Sequence, residues 1–378
     1  MKIAGDWLER AETQAVFAAL AGQQVLFVGG CVRNALLGEP VADIDLATDA
    51  EPARVVALVE AAGLKAVPTG IAHGTVTVIS GGIAHEVTTF RRDVQTDGRH
   101  AVVAFSESIA EDAARRDFTM NALYADASGE VLDPLGGLPD LLARRVRVVG
   151  DAQARIAEDY LRILRFFRFH ACYGDPEGGI DAEGLAACAS NLAGIETLSK
   201  ERIGSEMRKL LGAADPAPSV AAMGKAGVLA FVLPGADAEA LPILIYLEGG
   251  MPPDWLRRLA VLGGEGQAEA LRLSREEARG LAAIMEGVSN MTGPAELGYL
   301  LGAQCGADAL LARAALLETP LPGGWRAEIA KGAAAVFPVR ASDLMPELQG
   351  PELGAALEAL QRRWIASDFA LTREELLG

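Results

Sequence analysis

The sequence is poor in several things, and each shortage excludes something. Only 4 of the 378 residues are cysteine. They stand at 31, 172, 188 and 305, with no CxxC or CxH spacing, so neither a zinc site nor a disulfide framework is implied. Long apolar runs are missing. The longest stretches without Asp, Glu, Lys or Arg are Thr13 to Val32 and Ala66 to His85. The first is broken by Gln14, Gln23 and Gln24, the second by Pro68, two histidines and several glycines, so both make poor membrane spans. The N-terminus, MKIAGDWLER, lacks the apolar stretch of a signal peptide. A soluble, cytoplasmic chain with no membrane partner is expected.

Cations are scarce as well. There are 34 Lys plus Arg against 51 Asp plus Glu, a formal charge of −17. That balance argues at first against a nucleic-acid partner, although net charge says nothing about where charges sit. Among the cations, 28 are Arg and only 6 are Lys. Arg presents a planar fork suited to phosphates and base edges, which Lys does not. The arginines are also clustered: residues 141–172 hold seven of them against three acids. A hydrophobic fraction of 51% is enough for a large core. At ~100–200 residues per domain the length suggests two to four domains.

Periodicity divides the chain. The first ~210 residues read as mixed α/β. A helix is expected over 11–20, a buried strand over 24–28, a helix over 31–37 and a short strand over 44–47. Thr48 and Asp49 are candidate caps for a helix at 52–62. Alternation over 75–79 and 85–90 suits a hairpin. From Asp151 the period becomes 3.6, and Ile156, Tyr160, Ile163, Leu164, Phe167 and Cys172 mark the apolar stripe of one long helix to about residue 173. Helices follow at roughly 182–191, 199–212, 217–231, 253–262, 266–287, 295–317, 324–335 and 352–366.

Two groups of residues carry chemistry. Gly29-Gly30-Cys31-Val32-Arg33 lies between a strand and a helix, where backbone N–H groups can approach a phosphate and Arg33 can reach the same group. Asp43 and Asp45 are two apart on a strand, so their carboxylates point to one face. Such a pair repels itself unless a divalent cation lies between, and Mg²⁺ favours oxygen ligands shared with substrate phosphates. Glu86 on a neighbouring strand is the candidate third carboxylate. Taken alone, each part also reads as a Gly-Gly turn, two surface acids or an edge-strand charge; together, in order and ~10 residues apart, the turn and the acids favour the functional reading.

GG-x-V-R followed by D-x-D resembles the head domain of the class II tRNA nucleotidyltransferases, the CCA-adding enzymes and their bacterial poly(A) polymerase relatives. Further motifs follow in order. Arg115 to Ala122 (RRDFTMNA) is similar to the family's RRDFTxNA. Asp133 to Gly137 with Asp140-Leu141 is similar to its DPxxGxxDL. Glu158 to Arg165 (EDYLRILR) is similar to its EDxxRxxR, and Leu198 to Ile203 to its SxERI segment. One departure stands out: the family usually has Asp after GG-x-V-R, and this chain has Asn34.

The resemblance implies an α+β fold: a small nucleotidyltransferase (DNA polymerase beta-like) head over 1–143, then a helical neck over 144–212, body over 213–290 and tail over 291–378. It implies Mg²⁺-dependent addition of CCA to the tRNA 3′ end from CTP and ATP, with pyrophosphate released. Asp43, Asp45 and Glu86 would be catalytic, the two aspartates as metal ligands. Gly29, Gly30, Arg33, Arg116, Asp159, Arg162, Arg165 and Arg168 would bind nucleotide, the last two at its phosphates. Asp117 and Asn121 would organise their loop or contact ribose, or Asp117 would simply cap a helix. Placed i, i+3 on one helix, Asp159 and Arg162 share a face. The Asp would accept from the exocyclic amine of cytosine or adenine while the Arg donates to the ring, so GTP and UTP are rejected. The body and tail would hold the tRNA acceptor arm. Partial (CC- or A-) addition, poly(A) synthesis and a catalytically silent RNA-binding protein are the alternatives. The loop Arg91 to Phe105 looks full length, as in complete CCA addition, and no histidine is followed by Asp, so a fused HD domain is not expected.

Overall fold

The computed structural model describes residues 1–97 and 100–378, with side chains described outside 72 and 93–103. The chain divides into two compact units, Met1–Val232 and Leu233–Gly378.

In the first unit, α1 (Asp6–Glu9) and α2 (Ala11–Ala19) precede β1 (Val25–Val28), whose apolar side chains are largely buried. Gly29 follows with φ 69° and ψ −116°, a conformation that resists any L side chain, and turns the strand straight into α3 (Gly30–Leu37). After α3 come β2 (Ile44–Thr48) and α4 (Pro52–Ala61), with Pro at the first helical position. The expected caps of α4 are corrected: Glu51 is the N-cap and no side chain caps it. Thr48 instead accepts from the Ala50 N–H (3.2 Å) and Asp49 from the Gln24 N–H (2.9 Å).

β3 (Lys65–Gly70) was not foreseen; β4 (Thr75–Ser80) and β5 (Ile83–Thr89) form the expected hairpin. Its Gly81-Gly82 turn has positive φ at both positions, which matches the right-handed twist of the strands. β6 (Arg91–Asp97) and β7 (His100–Phe105) make a separate two-stranded sheet, so the loop expected over Arg91 to Phe105 is a strand pair; part of it lies outside the described residues. α5 (Ile109–Ala114), β8 (Tyr124–Ala125), β9 (Val131–Leu132) and α6 (Leu138–Leu142) complete the head. The main sheet has the order β3-β4-β5-β2-β1-β8-β9, with β2 and β5 parallel and the other neighbours antiparallel. Leu26, Val28, Ala47, Phe90, Tyr124 and Val149 share one buried cluster beneath it.

The long helix expected from 151 to 173 is two helices, α7 (Ala152–Glu158) and α8 (Leu161–Tyr173). Asp159 breaks it with extended backbone (φ −148°, ψ 101°), and its Oδ1 accepts the Leu161 N–H at 3.1 Å across Tyr160, the N-cap of α8, whose own side chain makes no capping bond. Ile156, Ile163, Leu164 and Phe167 are buried as the stripe requires, whereas Cys172 is exposed. α9 (Ala182–Ser190), α10 (Lys200–Leu211), α11 (Ala217–Lys225) and α12 (Val228–Val232) follow, Gly227 (φ 78°) splitting the helix expected over 217–231.

The second unit is helical: α13 (Leu241–Glu248), α14 (Trp255–Leu262), α15 (Gln267–Ala270), α16 (Arg275–Ser289), α17 (Pro294–Leu316), α18 (Trp325–Ala334), α19 (Gly350–Ala366) and α20 (Arg373–Leu377). The helix expected over 266–287 is broken ahead of α16, which Ser274 and Glu277 start as a reciprocal capping box. α17 is interrupted at Gly302 (φ 78°, ψ 173°). It approaches α18 so closely that a Cβ on Gly332 would lie 1.7 Å from the Ala295 carbonyl oxygen. Arg257 and Arg258 are fully buried against Glu248, and Arg257 also against Asp308. Among the described residues, no helix is long and apolar enough to cross a membrane.

Candidate active site

The carboxylates come together through the sheet. Asp45 lies on β2, with Asp43 just ahead of that strand. The parallel pairing sets Asp45 directly beside Glu86 of β5. On β5, His85, Val87 and Thr89 are buried while Glu86 faces the other way, toward Asp45. Asp43, Asp45 and Glu86 line one cavity with Thr77 and Ala84. Burial, then the charges of Glu86 and Asp43, push the Asp45 carboxyl up to about 6, against a smaller opposing effect of Arg116.

A second cavity adjoins it, lined by Gly30, Arg33, Asn34, Asp43, Asp45 and Tyr173. Arg33 is only 6% exposed. Its Nε and Nη2 donate to Asn34 Oδ1 (3.1 and 2.8 Å), Nη1 to Asn121 Oδ1 (2.6 Å) and Nη2 to the Tyr173 hydroxyl (2.8 Å). The guanidinium also lies 3.9 Å from the centre of the Tyr173 ring. All of these bonded partners are neutral, and the charge of Asp117 acts on the buried cation from beyond Asn121. Asn34 further donates to the Pro40 carbonyl (2.8 Å), bracing the segment that leads to Asp43. An Asp could not make that donation.

Arg116 stands over the Gly29 turn: a Cβ on Gly29 would lie 3.4 Å from Arg116 Nη1. Asp112 (2.9 Å) and the Tyr124 hydroxyl (3.0 Å) hold Arg116 in place. Asp117 organises its loop and does not cap a helix. It accepts from the Phe118 N–H (2.8 Å), from Asn121 Nδ2 (2.9 Å) and from Arg165 (Nε at 2.8 Å). Burial alone would raise its carboxyl; Arg165 and the hydrogen bonds outweigh that and lower it. Asn121 thus joins Asp117 to Arg33.

The neck arginines do not form one free stripe. Arg162 binds Glu158 (2.9 Å) and the Arg155 carbonyl, Arg165 binds Asp117, and Arg168 binds Glu206 (2.5 Å), which also faces Arg165 at 3.9 Å. Asp159 and Arg162 do not share a helix face, because Asp159 stands at the break between α7 and α8. Both oxygens of Asp159 accept from Arg202 Nη2 at 3.0 Å. Asp112, Tyr173, Glu206 and Arg202 were not singled out from sequence. Asp112 stands three and four residues before Arg115 and Arg116, a spacing that signals helical ion pairs. Arg202 lies in the S-x-E-R-I segment; for Tyr173 and Glu206 the sequence offers no comparable signal.

Among the described residues, no three His, Cys, Asp or Glu side chains close around a metal by themselves. The donor set still fits a hard divalent cation: all oxygen, partly buried, and mutually repulsive without a counter-charge.

A mixed sheet bearing paired carboxylates beside a Gly-Gly turn and a buried arginine defines a nucleotidyltransferase head, here followed by helices. Residues 25–147 match the family described as "Poly A polymerase head domain" and residues 179–239 the one described as "Probable RNA and SrmB- binding site of polymerase A". The chain is 42% identical to human "CCA tRNA nucleotidyltransferase 1, mitochondrial" over 189 residues, which is 50% of this chain and 44% of that protein. It is 37% identical over 278 residues to the CCA-adding enzyme of Leuconostoc citreum, 70% of this chain and 67% of that one. The crystal structure of the Bacillus stearothermophilus CCA-adding enzyme in complex with CTP aligns with a TM-score of 0.73 at 30% identity, covering 94% of this chain and 93% of that one. The chain belongs to the family of the CCA-adding enzymes, nucleotidyltransferases that as a class use divalent metal ions. The matched segment spans less than half the length of the human relative.

Proposed function

We propose that this chain adds CCA to the 3′ end of tRNA from CTP and ATP. The RNA 3′-hydroxyl attacks the α-phosphate, and pyrophosphate leaves. The observation that carries the reading is the alignment of Asp45 with Glu86, beside Asp43, in a cavity adjoining the one that Arg33 lines. Asp43 and Asp45 would hold Mg²⁺. When bound, the metal supplies positive charge that eases ionisation of the attacking hydroxyl and offsets charge on the triphosphate. Glu86 completes the acidic face. The Gly29-Gly30 backbone and Arg33 hold the triphosphate at the start of α3. Arg116 contacts the nucleotide from above the turn. Arg165 and Arg168 add N–H groups on the phosphate side beyond those used on Asp117 and Glu206. Asp159 accepts the exocyclic amine of cytosine or adenine and Arg162 donates to the ring, so a base with a carbonyl at that place is refused.

The head (1–143), neck (144–212), body (213–290) and tail (291–378) division belongs to the same proposal, with body and tail holding the acceptor arm. The test is incubation with tRNA lacking its 3′ end, Mg²⁺ and labelled CTP or ATP. Two CMP and one AMP added in order, followed by a stop, support the reading. Continued AMP addition would assign poly(A) synthesis, an arrest after CC or a need for a CC end would assign partial addition, and no incorporation would leave an RNA-binding protein.

A further inference from the structure

Asp159 is held from outside its own segment. Its Oδ1 accepts from the Leu161 N–H at 3.1 Å and from Arg202 Nη2 at 3.0 Å, and its Oδ2 accepts from the same Nη2 at 3.0 Å. An ionised carboxylate offers about four acceptor positions. Among the described residues three are taken, and the one remaining is on Oδ2. Arg202 comes from the first turn of α10, a helix whose start Ser199 fixes by accepting the Arg202 N–H. Asp159 itself has extended backbone between two helices, so helical packing does not set its side-chain direction.

We propose that Arg202 is a specificity-determining positioning residue. By spanning both oxygens of Asp159 it leaves a single acceptor position, turned toward the base amine, and it stays in place while the nucleotide binds. This rests on the assignment of Asp159 as the reader of the base edge. A carboxylate free to rotate could turn its oxygens away from a base carbonyl and admit UTP. A carboxylate strapped by Arg202 meets that carbonyl oxygen to oxygen. Arg202 therefore acts through Asp159 and touches no substrate.

The ion pair is partly exposed, with side chains 44% and 36% accessible, so its loss should leave stability nearly unchanged. The effect belongs in selectivity. The experiment compares the full chain with Arg202→Ala, Arg202→Lys, Asp159→Ala and the double variant. It reads kcat/KM for CTP and UTP on tRNA lacking its 3′ end, and separately the Kd of each nucleotide by equilibrium dialysis. Arg202→Ala should lower the CTP-over-UTP preference about tenfold, the size of one good base contact, mainly through a higher KM for CTP with kcat little changed. Arg202→Lys, one cation without the fork, should restore part of it. Asp159→Ala should remove the preference, and adding Arg202→Ala to it should change nothing more. The inference is overturned if Arg202→Ala keeps its preference within about twofold, if the preference rises, or if the two substitutions add. If the wild type transfers no nucleotide, the functional reading fails and the dialysis ratios alone decide the role of Arg202. Should Arg202→Ala fail to fold, Arg202→Lys decides by the same ratios.

Discussion

Asp112 offers a quantitative check on the head. It is 1% exposed on α5 and accepts four hydrogen bonds: from the Arg91 N–H (3.3 Å), Arg115 Nε (2.9 Å), Arg116 Nη2 (2.9 Å) and the Tyr124 hydroxyl (2.7 Å). Burial by itself would raise the carboxyl, but Arg116, Arg115 and the hydrogen bonds together bring it down from 3.8 to about 2. In the unfolded chain it returns to its ordinary value, so between these two pH values the unfolded state binds more protons. Stability from Asp112 is therefore fully present above about pH 4 and is lost as pH falls through 2. The shift amounts to roughly 2 kcal/mol at 1.36 kcal/mol per pH unit. Asp112→Asn keeps the shape and removes the charge, and should lower stability by roughly that amount at pH 7. Urea titrations of both proteins, followed by fluorescence at intervals from pH 7 to pH 3, measure the gap between them. The gap should hold from pH 7 to about 5 and shrink by about half near pH 3. A gap that stays constant down to pH 3 would refute the charge argument, and a variant as stable as the wild type at pH 7 would refute the pairing itself.

Asp43→Ala and Asp45→Ala should each reduce incorporation to background with an unchanged circular dichroism spectrum; retained transfer would remove the metal assignment. Gly332→Ala puts a methyl group against the Ala295 carbonyl and should lower stability by about 1–3 kcal/mol in a thermal melt. Arg257→Met leaves buried Asp308 with Gln304 as its remaining partner and should cost about 3–5 kcal/mol. A melting temperature unchanged in either variant would contradict the packing described. Binding of tRNA, if confined to the arginine-rich strip over 141–172, should weaken roughly 10–100-fold between ~50 and ~200 mM salt, as filter binding would show.

Most of the sheet was legible because its strands follow simple rules. β1 is an apolar run ended by Gly-Gly, and β4 and β5 alternate around two glycines. β3 was not, since KAVPTG is a half-exposed edge strand containing Pro68, with no alternation to betray it. The break at Asp159 was hidden because the apolar period of 3.6 continues through it. What stops the helix is the extended backbone at Asp159 and the bond from the Leu161 N–H to its carboxylate, and neither disturbs the spacing of the buried residues. The acidic cluster was legible from strand geometry together with family motifs. The distant bonding partners of the arginines were not: Glu206 and Tyr173 reach Arg168 and Arg33 through tertiary packing that the sequence does not reveal, whereas the spacing of Asp112 to Arg115 and Arg116 is itself a signal. Asn34 shows the reverse case. It was visible as a departure from the family pattern, and only its bonds to Arg33 and Pro40 give the departure a physical meaning.

The parallel pairing of β2 with β5 has a consequence for how the chain acquires its chemistry. Asp43 and Asp45 are synthesised early, but Glu86 can stand beside them only after α4, β3 and β4 have been traversed and β5 has docked. Closing so long a loop is slow relative to forming helices or hairpins. While the chain is being made, β2 with Asp45, and Asp43 just ahead of it, therefore has no third carboxylate beside it and an open edge. The acidic cluster becomes a milestone of folding: it marks the moment at which the two halves of the sheet have joined.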